Sequence, residues 1–222
     1  MNNNHKCIIN NRLKSLSDFL YSNNKIIDIG CDHALLSIYI YQNITKNVVG
    51  SDINPEPLKK AKENLKKFDL ENKIELRLGN GLDTVKDEDT VVISGMGGLT
   101  INKILNSINN HPSIKRLILS PNTDFEETRK NTQKLGFNLK KEIIVEENNK
   151  YYLISVYEKE ETKQKICSHF GKLDFSEENT IKYYNQILEK NDKIIEKLPK
   201  FKLKRIRLIL ENKEIKRKLL KK

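Results

Sequence analysis

The order of apolar segments over residues 25–120 restricts the fold more than any other feature of this sequence. Short apolar runs with strand character alternate with stretches of helical periodicity. The strand-like runs are 25–30, 48–52, 73–79, 90–95 and 116–120, and helical stretches such as 34–42 and 55–68 lie between them. Such an alternation predicts a parallel α/β sheet with helices on both faces.

The alternation ends in two neighbouring strand-like segments. Residues 138–147 and 151–159 both have strand character, and only residues 148–150 separate them. A connection of three residues is too short for a parallel crossover, so the two segments must form an antiparallel hairpin. We therefore expect a doubly wound sheet that closes with a terminal antiparallel hairpin.

The residues after position 160 have a different character. From Ser176 onward, apolar residues and Asn191 follow a heptad spacing until Pro199 interrupts it, and a second helical stretch covers 201–221. This pattern predicts a coiled-coil-like α-helical hairpin in which Asn191 lies on the seam and fixes the register. The chain is thus expected to divide into a domain over 1–160 and a helical C-terminal extension over 161–222.

The positive charge of the chain is concentrated in this extension. The 222 residues have a net charge of +11, and residues 200–222 alone contain 11 Lys/Arg against two Glu, which leaves only +2 for the remainder. A basic stripe of this kind is typical of a surface that binds a polyanion, and RNA is the favoured partner. The alternative is a solvated basic helix without a partner.

Cysteine and hydropathy patterns exclude several classes of protein. Cys7, Cys31 and Cys167 are far apart and form no C-x-x-C or Cys/His cluster, so we expect reduced thiols and no metal site. The N-terminus has no apolar signal segment, and no stretch approaches the roughly 18 apolar residues of a membrane span. We therefore expect a cytoplasmic protein that does not insert into a membrane.

Glycine and acidic residues follow four strand-like runs in succession. The first run ends in DIGCDHALL (28–36) and the second ends at Asp52. The third is followed by GNGLD (79–83) and the fourth ends in SGMGG (94–98). Ligands bind at the carboxyl ends of strands in open α/β sheets. These loops therefore predict an adenosine-type site, in which Asp52 accepts the ribose hydroxyls and Asn80 lies beside the adenine.

Each of these features also has a structural interpretation. Gly30 and the GNG segment are compatible with plain turns, and Asp52 with a helix cap, although Asn54 before Pro55 is expected to supply that cap. The glycines of SGMGG are harder to explain, because glycine destabilises a strand-to-helix junction unless something needs the space. Four such loops in register support a ligand site more strongly than any single one.

The first of these loops favours S-adenosylmethionine over a dinucleotide. The fingerprint G-x-G-x-x-G is absent at 30–35, and the carboxylate of Asp32 would repel a pyrophosphate. S-adenosylmethionine has no phosphate and carries a sulfonium cation, which an acidic loop suits. The terminal hairpin also resembles the reversed seventh strand of class I methyltransferases (a Rossmann-like fold), which standard dinucleotide-binding folds lack.

The segments DIGCDHALL, GNGLD, GMGG and LSPN (119–122), followed by a helical tail, resemble the bacterial TrmK family over essentially the whole chain. Members of this family are tRNA (adenine-22-N1)-methyltransferases, so the resemblance implies tRNA as substrate and 1-methyladenosine in the D-arm region as product. The family's cofactor loop and glycine bend correspond here to Asp28, Gly30 and Asp32, and to Gly95, Gly97 and Gly98. This chain departs from the family at Asn80, where the family often has Asp; an Asn amide oxygen still accepts from an adenine amino group.

The expected site combines cofactor-binding and catalytic residues. The candidate cofactor-binding residues are Asp28, Gly30, Cys31, His33, Asp52, Ile53, Asn80, Gly81, Gly95, Met96 and Gly97. Asp32 is the candidate catalytic carboxylate, which would stabilise the cationic methylated base or accept a proton from its exocyclic amine. The alternative for Asp32 is a helix cap or a contact to the methionine amine. Asn122 is the candidate contact to the target base, with an Asx turn as the alternative, and His33 is expected to be a packed histidine or to orient a neighbour.

The helical extension is expected to hold a folded tRNA by its phosphates. The candidate phosphate contacts are Lys204, Arg205, Arg207, Lys216, Arg217 and Lys218. We expect a monomer. The alternatives are a methyltransferase acting on a protein or a small molecule, a non-catalytic RNA-binding protein that retains the fold, and a dehydrogenase, which the missing fingerprint disfavours.

Overall fold

The computed structural model describes residues 6–162 and 169–220. The chain forms two compact units, which meet in the sequence between Lys172 and Leu173. Cys7 and Cys31 are free, buried thiols, whereas Cys167 lies outside the described residues. In the part of the chain described, no helix is long and apolar enough to cross a membrane, and no group of three or more His, Cys, Asp or Glu side chains could hold a metal ion.

The first unit is built on a seven-stranded sheet. Its strands are β1 (Ile26–Ile29), β2 (Val48–Asp52), β3 (Glu75–Leu78), β4 (Thr90–Ser94), β5 (Arg116–Ser120), β6 (Phe137–Glu147) and β7 (Lys150–Lys159). Its helices are α1 (Asn11–Ser17), α2 (Leu35–Asn43), α3 (Pro55–Lys67), α4 (Gly98–Leu105) and α5 (Phe125–Lys134). Single 3₁₀ turns cover Gly81–Thr84 and Ile108–Asn110.

The strand order is β3-β2-β1-β4-β5-β7-β6. Strands β1 to β5 pair in parallel, and β7 pairs antiparallel with both β5 and β6. The chain moves outward from β1 to β3 and then returns to β4 on the other side of β1, so the carboxyl ends of β1 to β5 form one continuous edge. The predicted doubly wound sheet with a terminal antiparallel hairpin is confirmed.

The central strands are buried on both faces of the sheet. Every residue of β1 and of β5 is buried. Ile26 packs in a cluster with Leu16 and Ile38, whereas the next residue, Ile27, packs on the opposite face with Ile101. Burying one such side chain contributes roughly 1.5–3 kcal/mol. Continuous apolar strands are therefore stable only where helices cover both faces.

The terminal hairpin extends beyond the carboxyl edge of the sheet. Leu119 pairs with Ser155 and β5 ends one residue later, at Ser120, so residues 150–153 of β7 continue past the end of β5. At about 3.4 Å per residue, this overhang is roughly 14 Å long. Helix α1 packs against β6 and β7, which places the N-terminal segment beside the overhang.

The second unit is a helical hairpin. Its helices are α6 (Glu178–Lys197) and α7 (Leu203–Leu220). Nδ2 of the buried Asn191 donates to Oδ1 of the buried Asn212 at 2.9 Å. Nη1 of Arg205 donates to the carbonyls of Ile195 and Leu198 at 2.6 and 2.9 Å, which satisfies carbonyl groups at the end of α6. The predicted helical hairpin with Asn191 on its seam is confirmed.

Candidate active site at the carboxyl edge of the sheet

The loop after β1 is held tightly against β2. The backbone N–H groups of Gly30 and Cys31 both donate to the carbonyl of Ser51, at 2.8 and 2.9 Å. Gly30 has a φ of +75°, and a Cβ atom there would lie 2.1 Å from Cε of Met96. The loop therefore requires glycine at this position. The space beside the Gly30 backbone, where a ligand would approach, holds the flexible end of the Met96 side chain.

A group of carboxylates surrounds this loop. Asp28 is buried in β1 and accepts a hydrogen bond from Oγ of Ser37 at 3.0 Å. Burial raises the pKa of Asp28 from 3.8 to about 7, and the carboxylate of Asp52 acts in the same direction. Burial also raises the pKa of the Cys31 thiol, and the neighbouring carboxylates raise it further. The ionisable groups around this loop are thus acidic, which favours a cationic ligand and disfavours a pyrophosphate.

The carboxylate of Asp52 has one structural partner. Its Oδ1 accepts the backbone N–H of Asn54 at 3.0 Å, just before Pro55 begins α3. Asn54 occupies the N-cap position, as expected. Its side chain makes no capping hydrogen bond, however, so the expectation that the Asn54 side chain caps α3 is wrong. The carboxylate two residues earlier reaches the N–H at the start of the helix instead. Oδ2 of Asp52 has no hydrogen-bond partner among the described residues and can accept from a ligand.

Asp32 and His33 project from the loop into solvent. Oδ2 of Asp32 lies 3.5 Å from Nε2 of His33, and their side chains are 65% and 45% exposed. The expectation of a packed His33 is therefore wrong, since no core surrounds the ring. Among the described residues, the Asp32 carboxylate accepts no hydrogen bond from the first turn of α2, so Asp32 does not cap this helix. The Asp32 carboxylate thus stays accessible at the edge.

The loops after β2 and β3 present Ile53 and Asn80 to solvent. Ile53 is 59% exposed, and Asn80 is also exposed. Gly81 is buried with a φ of +51°, and a Cβ atom there would lie 3.0 Å from Cγ2 of Ile104 in α4. The second glycine of the GNG segment is thus needed for packing, while Asn80 remains accessible to a ligand.

The glycine bend after β4 combines an open part with a packed part. Gly95 is exposed with a φ of +79°, and Gly97 is the N-cap of α4. A Cβ atom on Gly98 would lie 2.5 Å from Oγ1 of Thr128 and 2.6 Å from the carbonyl oxygen of Thr123. The space at Gly98 is therefore filled by the protein itself, and only the first two glycines border the accessible edge.

Asn122 follows β5 and is fixed to the glycine bend. Its Nδ2 donates to the carbonyl of Gly95 at 2.7 Å, and its backbone N–H donates to the carbonyl of Met96 at 2.8 Å. Because Nδ2 faces a carbonyl, the amide orientation is determined, and Oδ1 is left as an acceptor on an exposed side chain. The structure thus brings Asn122 and the bend together at one point of the edge.

Three further residues lie at this edge that the sequence did not indicate. The guanidinium of Arg12 lies over the ring of Tyr152, 4.8 Å from its centroid, and Nη1 is 3.8 Å from the position of a Cβ atom on Gly95. Oε2 of Glu147 accepts the backbone N–H of Arg12 at 3.0 Å. The lengths of β6 and β7, 11 and 10 residues against five for β5, are a sequence signal for the overhang. Nothing in the sequence connects Arg12 with that overhang.

Known proteins share this architecture. Residues 9–155 match the family model described as a methyltransferase domain. The tRNA (adenine(22)-N(1))-methyltransferase of Bacillus subtilis (strain 168) is 32% identical over 154 residues, which are 68% of this chain and 65% of that protein. The chain thus matches slightly less than two thirds of the length of this relative.

Two solved structures are similar over nearly the whole chain. A Streptococcus pneumoniae protein proposed to be a tRNA (m1A22) methyltransferase has a TM-score of 0.88 at 28% identity, covering 96% of this chain and 100% of its own. M. capricolum TrmK, solved with S-adenosyl-homocysteine, has a TM-score of 0.80 at 27% identity, covering 95% of this chain and 97% of its own. The chain therefore belongs to the family of methyltransferase domains, and its resemblance to the TrmK family is confirmed.

Proposed function

We propose that this chain is an S-adenosylmethionine-dependent methyltransferase that methylates N1 of adenine 22 in the D-arm region of tRNA. One observation carries the proposal: the glycine loop after β1 and the buried carboxyl groups of Asp28 and Asp52 lie at the same sheet edge as the exposed carboxylate of Asp32 and the fixed amide of Asn122. A methyl transfer to a large RNA needs such an open edge, because the base must reach the methyl group from solvent.

The described residues fit this cofactor. Gly30 allows close approach to the backbone, Oδ2 of Asp52 is available to the ribose hydroxyls, and Asn80 to the adenine. The carboxyl group of Asp28, whose pKa is about 7, supplies negative charge for the methionine end, which is cationic at sulfur, as it ionises. The other proposed contacts are Cys31, His33, Ile53, Gly81, Gly95, Met96 and Gly97. When bound, the cofactor supplies an electrophilic methyl group, and these residues hold and orient it.

Asp32 is proposed as the catalytic carboxylate. Adenine N1 has a lone pair, so it needs no deprotonation before it reacts, but N1-methylation leaves a positively charged base. The exposed carboxylate of Asp32 would stabilise this charge or take a proton from the exocyclic amine. Holding base and methyl group in the reactive geometry can lower the barrier by up to roughly 7–11 kcal/mol.

Asn122 is proposed to recognise the target base. Because its Nδ2 is bonded to Gly95, the group left for the base is the acceptor Oδ1. An adenine offers an amino donor beside N1, which Oδ1 can accept. A guanine offers a carbonyl oxygen beside N1, which would face Oδ1 as a second acceptor, so this arrangement favours adenine.

The helical hairpin is proposed to hold the tRNA. Lys204, Arg207, Lys216 and Arg217 are exposed, and Lys218 is half-buried. Arg205 already donates to the end of α6, so we expect it to contribute less to phosphate binding. Since N1 lies on the Watson–Crick edge, a paired target base must be extruded at a cost of a few kcal/mol, which phosphate contacts would offset. The proposal assigns methyl transfer to 1–160 and tRNA binding to 161–222, in a cytoplasmic monomer.

The test is methyl transfer from labelled S-adenosylmethionine to unmodified tRNA, followed by nucleoside analysis. We expect 1-methyladenosine from the wild-type protein, and a roughly hundredfold lower kcat for Asp32→Asn with unchanged cofactor affinity. Asp69→Asn is the matched control, because Asp69 is also an exposed aspartate with a positive φ. This control should keep the wild-type kcat.

The outcomes separate the alternatives. Label in another nucleoside would contradict the target position, and label on a protein or small molecule but not on tRNA would favour the second methyltransferase hypothesis. Binding of tRNA without binding of S-adenosylmethionine would favour a non-catalytic RNA-binding protein. Full activity of Asp32→Asn would leave the function intact and reduce Asp32 to a structural role.

A further inference from the structure

A half-buried guanidinium lies at the sheet edge without an acidic partner. Arg12 is in the first turn of α1, and its guanidinium makes no hydrogen bond or ion pair with any residue in 6–162 or 169–220. Glu147 accepts the backbone N–H of Arg12 rather than its side chain. The contact of the guanidinium among these residues is the ring of Tyr152, so its N–H donors remain available to an anion that arrives from solvent.

The surroundings fix this cation in place. The Glu147 carboxylate, 3.0 Å from the backbone nitrogen, anchors the start of α1 to the hairpin. The guanidinium lies over the ring of Tyr152 in the overhang of β7, and its N–H donors make no hydrogen bond within the described residues, so they are available to a ligand. The adjacent Leu13 packs against the core of the first unit, which restricts movement of the helix. The site is thus built before any ligand arrives.

The position of Arg12 indicates which anion it binds. Nη1 lies 3.8 Å from the Cβ position of Gly95, and the carbonyl of the same glycine holds Asn122. Arg12 therefore flanks the proposed contact to the target base, whereas the charged groups nearest the proposed cofactor loop are the buried carboxyls of Asp28 and Asp52. We propose that Arg12 binds a backbone phosphate of the tRNA beside the target adenine and thereby positions its N1. This inference rests on the proposed function.

The experiment compares Arg12→Gln with the wild-type protein. Gln removes the charge but keeps part of the stem over Tyr152. We expect tRNA binding at low salt to weaken roughly tenfold to a hundredfold and the salt slope of log Kd to fall by about 0.7–0.9. The Kd for S-adenosylmethionine should stay within about twofold of wild type. Arg12→Lys should retain the salt slope, because it keeps the charge.

The matched control is Lys14→Gln. Lys14 lies in the same helix, is exposed and has the same charge, so its loss should leave the salt slope and the tRNA Kd unchanged. Thermal unfolding of each variant identifies any that does not fold. If Arg12→Gln does not fold, Arg12→Lys becomes the test of the phosphate contact. A lower salt slope of tRNA binding in folded Arg12→Lys would contradict that contact, because the charge is kept.

Two results would overturn the inference. An unchanged salt slope in folded Arg12→Gln would exclude a phosphate contact. Weakened binding of S-adenosylmethionine with unchanged tRNA binding would assign Arg12 to the cofactor carboxylate. Both outcomes differ from a failure of the proposed function, in which the wild-type protein would form no 1-methyladenosine in tRNA.

Discussion

The two halves of the carboxyl edge expose groups of opposite electrical character. The cofactor half comprises the loops after β1, β2 and β3, and its charged groups near the glycine loop are carboxylates, of which Asp28 and Asp52 are buried. The target half comprises the glycine bend, the end of β5 and the hairpin overhang, and it presents Arg12, Asn122 and Tyr152. Under the proposed function, the half with Asp28 and Asp52 binds the cationic cofactor, and the half with the Arg12 guanidinium binds the anionic RNA.

The largest expected effect comes from filling the cofactor half at Gly30. Gly30→Val adds a β-branched side chain at a φ of +75°, where its Cβ atom would lie 2.1 Å from Met96. Backbone strain lowers the stability by roughly 1–2 kcal/mol, and the new side chain also occupies space in the proposed cofactor site, so we expect affinity for S-adenosylmethionine to fall by about a hundredfold or more. Calorimetry measures this loss, and tRNA binding should be retained.

Gly136→Val is the control for Gly30→Val. Gly136 also has a positive φ, but a Cβ atom there would meet nothing within 4 Å. The Gly136→Val variant should lose some stability through backbone strain and keep its affinity for S-adenosylmethionine. Equal loss of cofactor affinity in both variants would show that the effect at Gly30 is general destabilisation.

The next effect concerns the buried carboxylate of Asp28. Its folded-state pKa of about 7 lies above its ordinary value of 3.8, so between these pH values the folded protein binds a proton that the unfolded chain has released. The free energy of unfolding should therefore fall as pH rises from about 4 to 7, by on the order of 3 kcal/mol, and stay level above that. Asp28→Asn should flatten this dependence in urea titrations at pH 5 and 8. An equally steep fall in Asp28→Asn would contradict the account.

Asp52→Asn tests the cofactor half without filling it. Asn keeps an oxygen for the N–H of Asn54 but removes the charge offered to the ribose. Loss of one charged hydrogen bond predicts a roughly tenfold to hundredfold weaker Kd for S-adenosylmethionine. If tRNA binding weakens to the same extent, the two halves are not separate.

Asn122→Ala tests the target half. It removes the proposed acceptor for the adenine amino group and the hydrogen bond to Gly95. One neutral hydrogen bond contributes about 1 kcal/mol, so we expect kcat/KM for tRNA to fall roughly fivefold to tenfold with unchanged cofactor affinity. Single-turnover methylation measures the change, and Asn122→Asp, which keeps the acceptor, should lose less.

The smallest effect on the methylation chemistry itself is expected from the helical hairpin. Replacing both Lys204 and Arg207, which are exposed on α7, with Gln should lower the salt slope of tRNA binding by about 1.4–1.8 and leave the methylated position unchanged. A change of methylated nucleoside would show that α7 selects the target rather than holding the tRNA.

The fold followed from the sequence because its determinants are local. Apolar runs and helical periodicity identified β1 to β5. The predicted connection over 148–150 was too short for a crossover and left only an antiparallel pairing of the last two strands. Asn191 was identified on the helical seam because the heptad spacing fixes which residues face the second helix.

The parts of the site that escaped prediction depend on tertiary structure. Arg12 and Glu147 are 135 positions apart and meet only because the register of β7 carries the hairpin past β5. Asp52 and Asn54 both precede α3, and the Asp52 carboxylate rather than the Asn54 amide makes a hydrogen bond at the start of the helix. Sequence spacing alone does not decide which of the two side chains does so. The exposure of His33 depends on how the loop leaves the sheet, which its sequence does not specify.

The most direct test of the separation between the two halves is to measure both ligands on both variants, Asp52→Asn and Arg12→Gln. We predict that Asp52→Asn weakens binding of S-adenosylmethionine alone and that Arg12→Gln weakens binding of tRNA alone, each by roughly tenfold or more. The account would be contradicted if both variants lost affinity for the same ligand, because the two halves would then form a single site.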